Sequence, residues 1–157
     1  VLLDALGLLK ERAIAPHLLA AGECWGGAQP YEQQIERLGL TETVHLEDRY
    51  IPDERVPLLF SAAELFVAPY LDGTQSGAIK LAVGAGLPLI LTEPLVTDAF
   101  LASSPAVKVV PPGNAPALAE AIADWLAGKW VPGPMRPPQD GWQKMVDTLV
   151  QLSGNPD

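Results

Sequence analysis

The run Leu65-Phe66-Val67-Ala68-Pro69-Tyr70-Leu71-Asp72-Gly73-Thr74-Gln75-Ser76-Gly77-Ala78-Ile79-Lys80-Leu81-Ala82-Val83-Gly84-Ala85-Gly86-Leu87-Pro88-Leu89-Ile90-Leu91 contains a complete strand, loop, helix and second strand. Leu65 to Ala68 are apolar at successive positions, as a strand covered on both faces requires. Asp72-Gly73 turns the chain, and Ala78, Leu81, Ala82 and Ala85 then recur at i, i+3, i+4 and i+7, one face of a helix. Gly86 and Pro88 end that helix before the apolar strand Leu89-Ile90-Leu91. Two apolar strands joined by a helix imply a parallel pair, because only a crossover of this length lets the chain return in the same direction.

The same unit repeats outward in both directions. Upstream, Leu2, Leu6 and Leu9 mark a helix ended by Ala13 to Pro16, and the apolar run from His17 to Gly22 reads as a strand. A loop from Cys24 to Pro30 leads to a helix from Tyr31 to Leu38, and Thr43 to Leu46 form the next strand. Asp53 is placed to cap a helix in which Val56, Leu59 and Phe60 share a side, with Pro57 in its first turn. Downstream, Val107 to Val110 form a strand, and Asn114 caps a helix with Leu118, Ala121, Ile122, Trp125 and Leu126 on one stripe. Residues 128–139 are a Pro-rich surface connection to a final helix at 140–152, carrying Trp142, Met145, Val146, Leu149 and Leu152. The expected fold is one doubly wound, Rossmann-like α/β domain over residues 1–157, a mainly parallel sheet with helices on both faces.

Composition supports one compact domain and excludes several functions. The chain has 157 residues, 48% of them hydrophobic and 18% charged, which is enough apolar material for a core. A formal charge of -9, with ten Lys and Arg in all, argues against a nucleic-acid partner, since phosphate contacts need clustered cations. Cys24 is alone, so no intrachain disulfide and no thiolate cage for zinc can form, and a cytoplasmic address is expected. The longest apolar stretch, Ala78 to Leu91, is interrupted by Lys80, so no transmembrane segment is expected. Val1 opens the sequence with neither an initiator Met nor a basic-then-apolar leader, the pattern of a stretch taken from within a longer polypeptide.

In a doubly wound sheet, ligands sit beyond the carboxyl ends of the strands. The loops in question are Gly22 to Pro30, Glu47 to Pro52, Pro69 to Gly77 and Thr92 to Val96. In the third of these, Thr74, Gln75, Ser76 and Gly77 stand at a helix start, where backbone N–H groups lack intrahelical partners and meet the positive end of the helix dipole. A phosphate can sit there, and Gly73 and Gly77 let the backbone approach it. Lys80 is the one formal cation between Val56 and Val107. The plainer alternative is that Ser76 caps the helix, Gly73 turns the chain and Lys80 is a solvated outer residue. His17 and His45 have no second ligand at metal spacing and read as structural histidines, Cys24 reads as an inert thiol, and no catalytic nucleophile is evident.

The segments Leu18 to Glu23, Leu38-Gly39-Leu40 running into Val44-His45-Leu46, Ala62 to Pro69, Gly77 to Ala82, Gly86 to Ile90, Pro111 to Asn114 and Leu118 to Ile122 follow in a telling order. That order resembles the C-terminal, donor-binding domain of GT-B-type retaining glycosyltransferases, the group 1 family, over most of the chain. The resemblance implies a nucleoside-diphosphate sugar as donor substrate, with its diphosphate at Thr74 to Gly77 beside Gly73 and Lys80. It also places Gly22 and Glu23 at the donor and the backbone near Tyr50 and Ile51 at the nucleobase. It implies no metal and no cofactor, and an acceptor that is a glycan or lipid-linked, bound through an upstream N-terminal domain. The two glutamates that usually bracket the cradle fall on Gly73 and Leu81, so both acids are missing here; a subset with the Thr-Gln-Ser-Gly form shares that departure.

By the same resemblance, a first strand, a Gly-Arg loop and a Lys would precede Val1. That strand is normally central, so either the sheet closes around its place, a partner supplies it, or a longer chain does. The stretch from Val1 alone is therefore expected not to catalyse transfer, and the full protein is expected in the cytoplasm, at most peripheral at the membrane. Two rival functions stand beside this one. The first is a non-catalytic regulatory or scaffolding Rossmann-like domain whose Trp-containing last helix docks a partner. The second is an unrelated nucleotide binder, for which no Gly-x-Gly-x-x-Gly opens a helix after a strand.

Overall fold

The computed structural model describes residues 1–73, 76–96 and 99–135. Strands and helices alternate in the order α1 (Leu2–Glu11), β1 (Leu18–Ala21), α2 (Gln29–Arg37), β2 (Val44–Glu47), α3 (Val56–Ala62), β3 (Phe66–Ala68), α4 (Gly77–Gly84) and β4 (Leu89–Thr92). A single 3-10 turn at Glu93–Leu95, α5 (Ala99–Ser103), β5 (Val107–Val110) and α6 (Ala115–Leu126) complete the described chain. The turn and α5 were not expected. The helix anticipated at 140–152 and the end of the Pro-rich connection lie outside the described residues, as do Thr74 and Gln75.

All strand pairs are parallel. β1 pairs with β2, Leu18 opposite Val44, and β4 lies between β3 and β5, with Leu89 opposite both Phe66 and Val107. The strands therefore form two sheets, and among the described residues no backbone pairing joins β1 or β2 to the other three. The strands expected in a single sheet are thus divided between two among the described residues. The core is nonetheless continuous across the division: Ala5, Leu6 and Leu9 of α1 pack with α6, with Val44 of β2, and with Ile90 and Val110 of the larger sheet.

β4 explains the layering. Side chains alternate across a strand, so Ile90 enters the core under α1 and α6, while Leu89 and Leu91 face Ile79 and Ala82 of α4 and Leu101 of α5. Helices thus cover both faces of this sheet, the arrangement an uninterrupted apolar strand requires. No helix among the described residues is long and apolar enough to cross a membrane.

Three local expectations need correction. In α4 the inward residues are Ile79 and Ala82, not the face of Ala78, Leu81, Ala82 and Ala85; Leu81 is 47% exposed. The helix is apolar nearly all round, and turning Ile79 inward in place of Ala78 buries more apolar area. Asp53 does not cap α3. Its N-cap position is Arg55, whose N–H donates to the Pro52 carbonyl at 2.9 Å and whose guanidinium is held by Glu47. In α6 the buried stripe is Leu118, Ala119, Ala121, Ile122 and Ala123, with Leu126 left 44% exposed, because the helix packs on α1 as well as on β4 and β5. Asn114 does cap α6, its Oδ1 accepting from the Ala117 N–H at 2.9 Å. The described part of the Pro-rich connection has no helix or strand, yet it is anchored: the Gly133 N–H donates to the Pro105 carbonyl and Met135 is buried.

Candidate functional site

The parallel strands direct their carboxyl ends to the loops named from the sequence. After β3, Pro69 to Gly73 leave the sheet and Ser76 enters α4 in an extended conformation, φ -137° and ψ 125°. Ser76 occupies the N-cap position, but its side chain makes no capping hydrogen bond. Its Oγ lies 3.3 Å from the Tyr70 hydroxyl instead. The first intrahelical bond runs from the Lys80 N–H to the Ser76 carbonyl, so the amides of Gly77, Ala78 and Ile79 open the helix without a side-chain acceptor from Ser76. Among the described residues, a Cβ added at Gly73 or Gly77 would meet nothing within 4 Å. Gly73 has φ +112°, which a glycine adopts without strain. Lys80 is exposed, one turn into the helix.

The base of this loop is held by a residue that the sequence offered only as the head of the loop from Thr92 to Val96. Thr92 closes β4, is 1% exposed, and donates its hydroxyl proton to the Tyr70 carbonyl at 2.7 Å. A hydroxyl ending the otherwise wholly apolar run Leu89-Ile90-Leu91 was the available signal, since a buried polar group needs a partner.

The second group gathers at the carboxyl ends of β1 and β2. The Gly22 N–H donates to the Glu47 carbonyl at 3.1 Å, and the Cys24 N–H to the Asp48 carboxylate at 2.7 Å, tying the two loops together. The Glu47 carboxylate, only 11% exposed, accepts from Arg49 at 2.6 Å and from Arg55 at 2.5 Å. Those hydrogen bonds, from Arg55 first and Arg49 second, hold its carboxyl below the ordinary range. Burial first, and Asp48 second, push the Cys24 thiol up, which opposes formation of a thiolate nucleophile. Glu23 and Tyr50 are exposed and Ile51 half-buried on the same pair of loops.

Gly22, Glu23, Tyr50 and Ile51 thus follow the strands of the two-stranded sheet, whereas Gly73, Ser76, Gly77 and Lys80 follow β3 of the three-stranded one. Among the described residues no hydrogen bond or ion pair joins the two groups. Two concavities occur elsewhere, one lined by Leu6, Ile14, Leu40 and Thr43 and one by Phe100, Ser103, Pro105 and Pro134, and neither includes a candidate residue.

Residues 1–128 match the family model described as Glycosyl transferases group 1. Sucrose-phosphate synthase of Thermosynechococcus elongatus superposes with a TM-score of 0.65 at 22% identity, over 80% of this chain and 33% of that one. Anabaena HepE, crystallised in complex with UDP and glucose, gives 0.64 at 23% identity, over 82% of this chain and 35% of its own. The C-terminal domain of the Francisella tularensis group 1 family protein LpcC gives 0.68 at 14% identity, over 80% and 66%. No match was found among curated proteins. The chain spans about a third of the length of the first two of these structures. A family match over residues 1–128 and a shared architecture of parallel strands between helices lead to one conclusion: the chain belongs to the group 1 glycosyl transferases and has the fold of part of a GT-B donor-binding domain.

Proposed function

We propose that this chain is the donor-binding portion of a retaining glycosyltransferase that moves a hexose from a nucleoside-diphosphate sugar to a glycan or lipid-linked acceptor. In that reaction the bond between the anomeric carbon and the diphosphate oxygen breaks, its electron pair leaving with the oxygen. A bond to an acceptor oxygen forms on the same face, and the acceptor hydroxyl passes its proton to the departing diphosphate. Negative charge grows on the departing diphosphate, and the reading assigns its stabilisation to the amides opening α4 and to Lys80, with no metal or resident cofactor. Gly22, Glu23, Tyr50 and Ile51 would border the sugar and the nucleobase, and Thr74 and Gln75, outside the described residues, would complete the cradle. The acceptor would bind a domain contributed by a longer polypeptide, acting in the cytoplasm or at the membrane surface.

The observation that carries this reading is the uncapped start of α4: Ser76 turns its hydroxyl to Tyr70, leaving the first amides for another acceptor, beside open backbone at Gly73 and Gly77. Complexes of Anabaena HepE with UDP and with UDP-glucose support a nucleotide-sugar ligand for a protein of this fold. Each amide of this kind contributes on the order of 3 kcal/mol at an oxyanion hole. Titration with UDP, GDP and ADP, following the Ser76 and Gly77 amide resonances, is expected to move both with at least one nucleotide. Resonances that stay put at millimolar nucleotide overturn the reading. That outcome favours a regulatory or scaffolding domain, a role with which the exposed Leu81 agrees, since the resemblance puts a ribose-gripping acid there.

A further inference from the structure

The geometry points to Thr92 as the positioning residue for the start of α4, acting through Tyr70 on Ser76. The β3–β4 ladder ends where Ala68 pairs with Leu91. Thr92 is one step further along β4, and there the side chain takes over from the backbone: its Oγ1 donates to the Tyr70 carbonyl at 2.7 Å, with the Ala68 carbonyl at 3.5 Å. The strand pair is thereby extended by a buried hydroxyl, and the direction in which the chain leaves the sheet is set at Tyr70. From that backbone the Tyr70 hydroxyl lies 3.3 Å from Ser76 Oγ at the helix entrance.

The three residues therefore form a relay from the core to the cradle. Thr92 is almost fully buried and Tyr70 40% exposed, so the relay runs from a buried group outward. A bond made at the buried end is the less replaceable one: without the hydroxyl, the Tyr70 carbonyl loses the side-chain donor that ties it to the end of β4. The distal end holds Ser76 in its extended N-cap conformation while keeping its hydroxyl off the α4 amides. Thr92 touches no ligand in this scheme; it fixes where the amides point. Its bearing on donor affinity rests on the function proposed above, whereas the mechanical coupling from Thr92 to Ser76 does not.

Two measurements separate these. In the protein without nucleotide, Thr92→Val is expected to shift the Ser76 and Gly77 amide resonances and speed their hydrogen exchange. Thr92→Ser, which keeps the hydroxyl, is expected to restore both, and Tyr70→Phe to disturb Ser76 alone. Nucleoside diphosphate affinity should then fall about tenfold in Thr92→Val and recover in Thr92→Ser, measured well below each variant's unfolding temperature. Ile90→Val, two residues earlier on the same face of the strand and carrying no hydroxyl, is the control, since it should lower stability without changing affinity. Undisturbed Ser76 and Gly77 resonances in Thr92→Val overturn the inference, as does a variant that behaves like Ile90→Val in binding. A wild-type protein indifferent to UDP, GDP and ADP overturns the donor reading instead, and the coupling is then decided by the nucleotide-free spectra.

Discussion

β1 and β4 are both four-residue strands of mainly apolar sequence, Leu18-Leu19-Ala20-Ala21 and Leu89-Ile90-Leu91-Thr92, yet their surroundings are opposite. β4 is paired along both edges and covered on both faces, and its residues are 0–1% exposed. Among the described residues β1 is paired along one edge only, alternates between half-buried and exposed, and leaves Leu19 46% exposed. Composition makes a strand fit to be buried; the number of its paired edges and covered faces decides whether it is. The loops that follow inherit the contrast. Beyond β3 and β4 the chain is held by a neutral hydrogen bond from buried Thr92, and beyond β1 and β2 by the carboxylates of Glu47 and Asp48. One half of the candidate site is thus fastened from the core and the other by charge near the surface.

The contrast breaks most readily at its buried end. Leu91→Ala should cost about 2–5 kcal/mol, through lost apolar burial and a cavity beneath α4 and α5, whereas Leu19→Ala should stay within about 0.5 kcal/mol. Denaturant unfolding of the two variants checks this, and equal losses would erase the distinction between the sheets. Asn114→Ala removes the α6 cap and should cost about 1 kcal/mol, seen as a lower unfolding midpoint, with Asn114→Asp retaining most of the stability. The smallest effect concerns Glu47. Its carboxyl is held low in the folded state, so the stability it contributes is complete above the ordinary carboxylate range and is lost as pH falls through its lowered folded value. Between about pH 5 and pH 3, the unfolding temperature of Glu47→Gln should therefore fall less steeply than that of the wild type. Parallel slopes would show that the Arg49 and Arg55 pairs contribute nothing measurable, the usual result for ion pairs in contact with water.

Much of the architecture was legible because the signals were local and redundant. Gly86 and Pro88 end α4, Asn114 starts α6, and each apolar run between them has the length of a strand. The facing of α4 was not legible, because Ala78-Leu81-Ala82 and Ile79-Ala82-Val83 have the same helical spacing in a segment with one charged residue. Asp53 looked like a cap in isolation, but Arg55 is committed to Glu47, and that pairing joins positions eight residues apart through the end of β2. Of the candidate site, the loops were chosen by the rule that ligands sit beyond strand ends, and Gly22, Glu23, Tyr50, Ile51 and Gly73 lie on loops that follow strands. The contacts that fasten those loops, Thr92 to Tyr70 and Cys24 to Asp48, connect residues 22 and 24 positions apart, beyond the reach of any local pattern.

Alternating apolar runs and helix stops, properties of neighbouring residues, were enough by themselves to determine parallel strands, crossover helices and the loops at their carboxyl ends. Only the tertiary structure decided that the strands divide into two sheets over one core, that Ile79 rather than Leu81 faces inward, and that Ser76 gives its hydroxyl to Tyr70. Each of these depends on which surfaces meet, and burial area and hydrogen-bond partners at a meeting surface are settled by elements far apart along the chain.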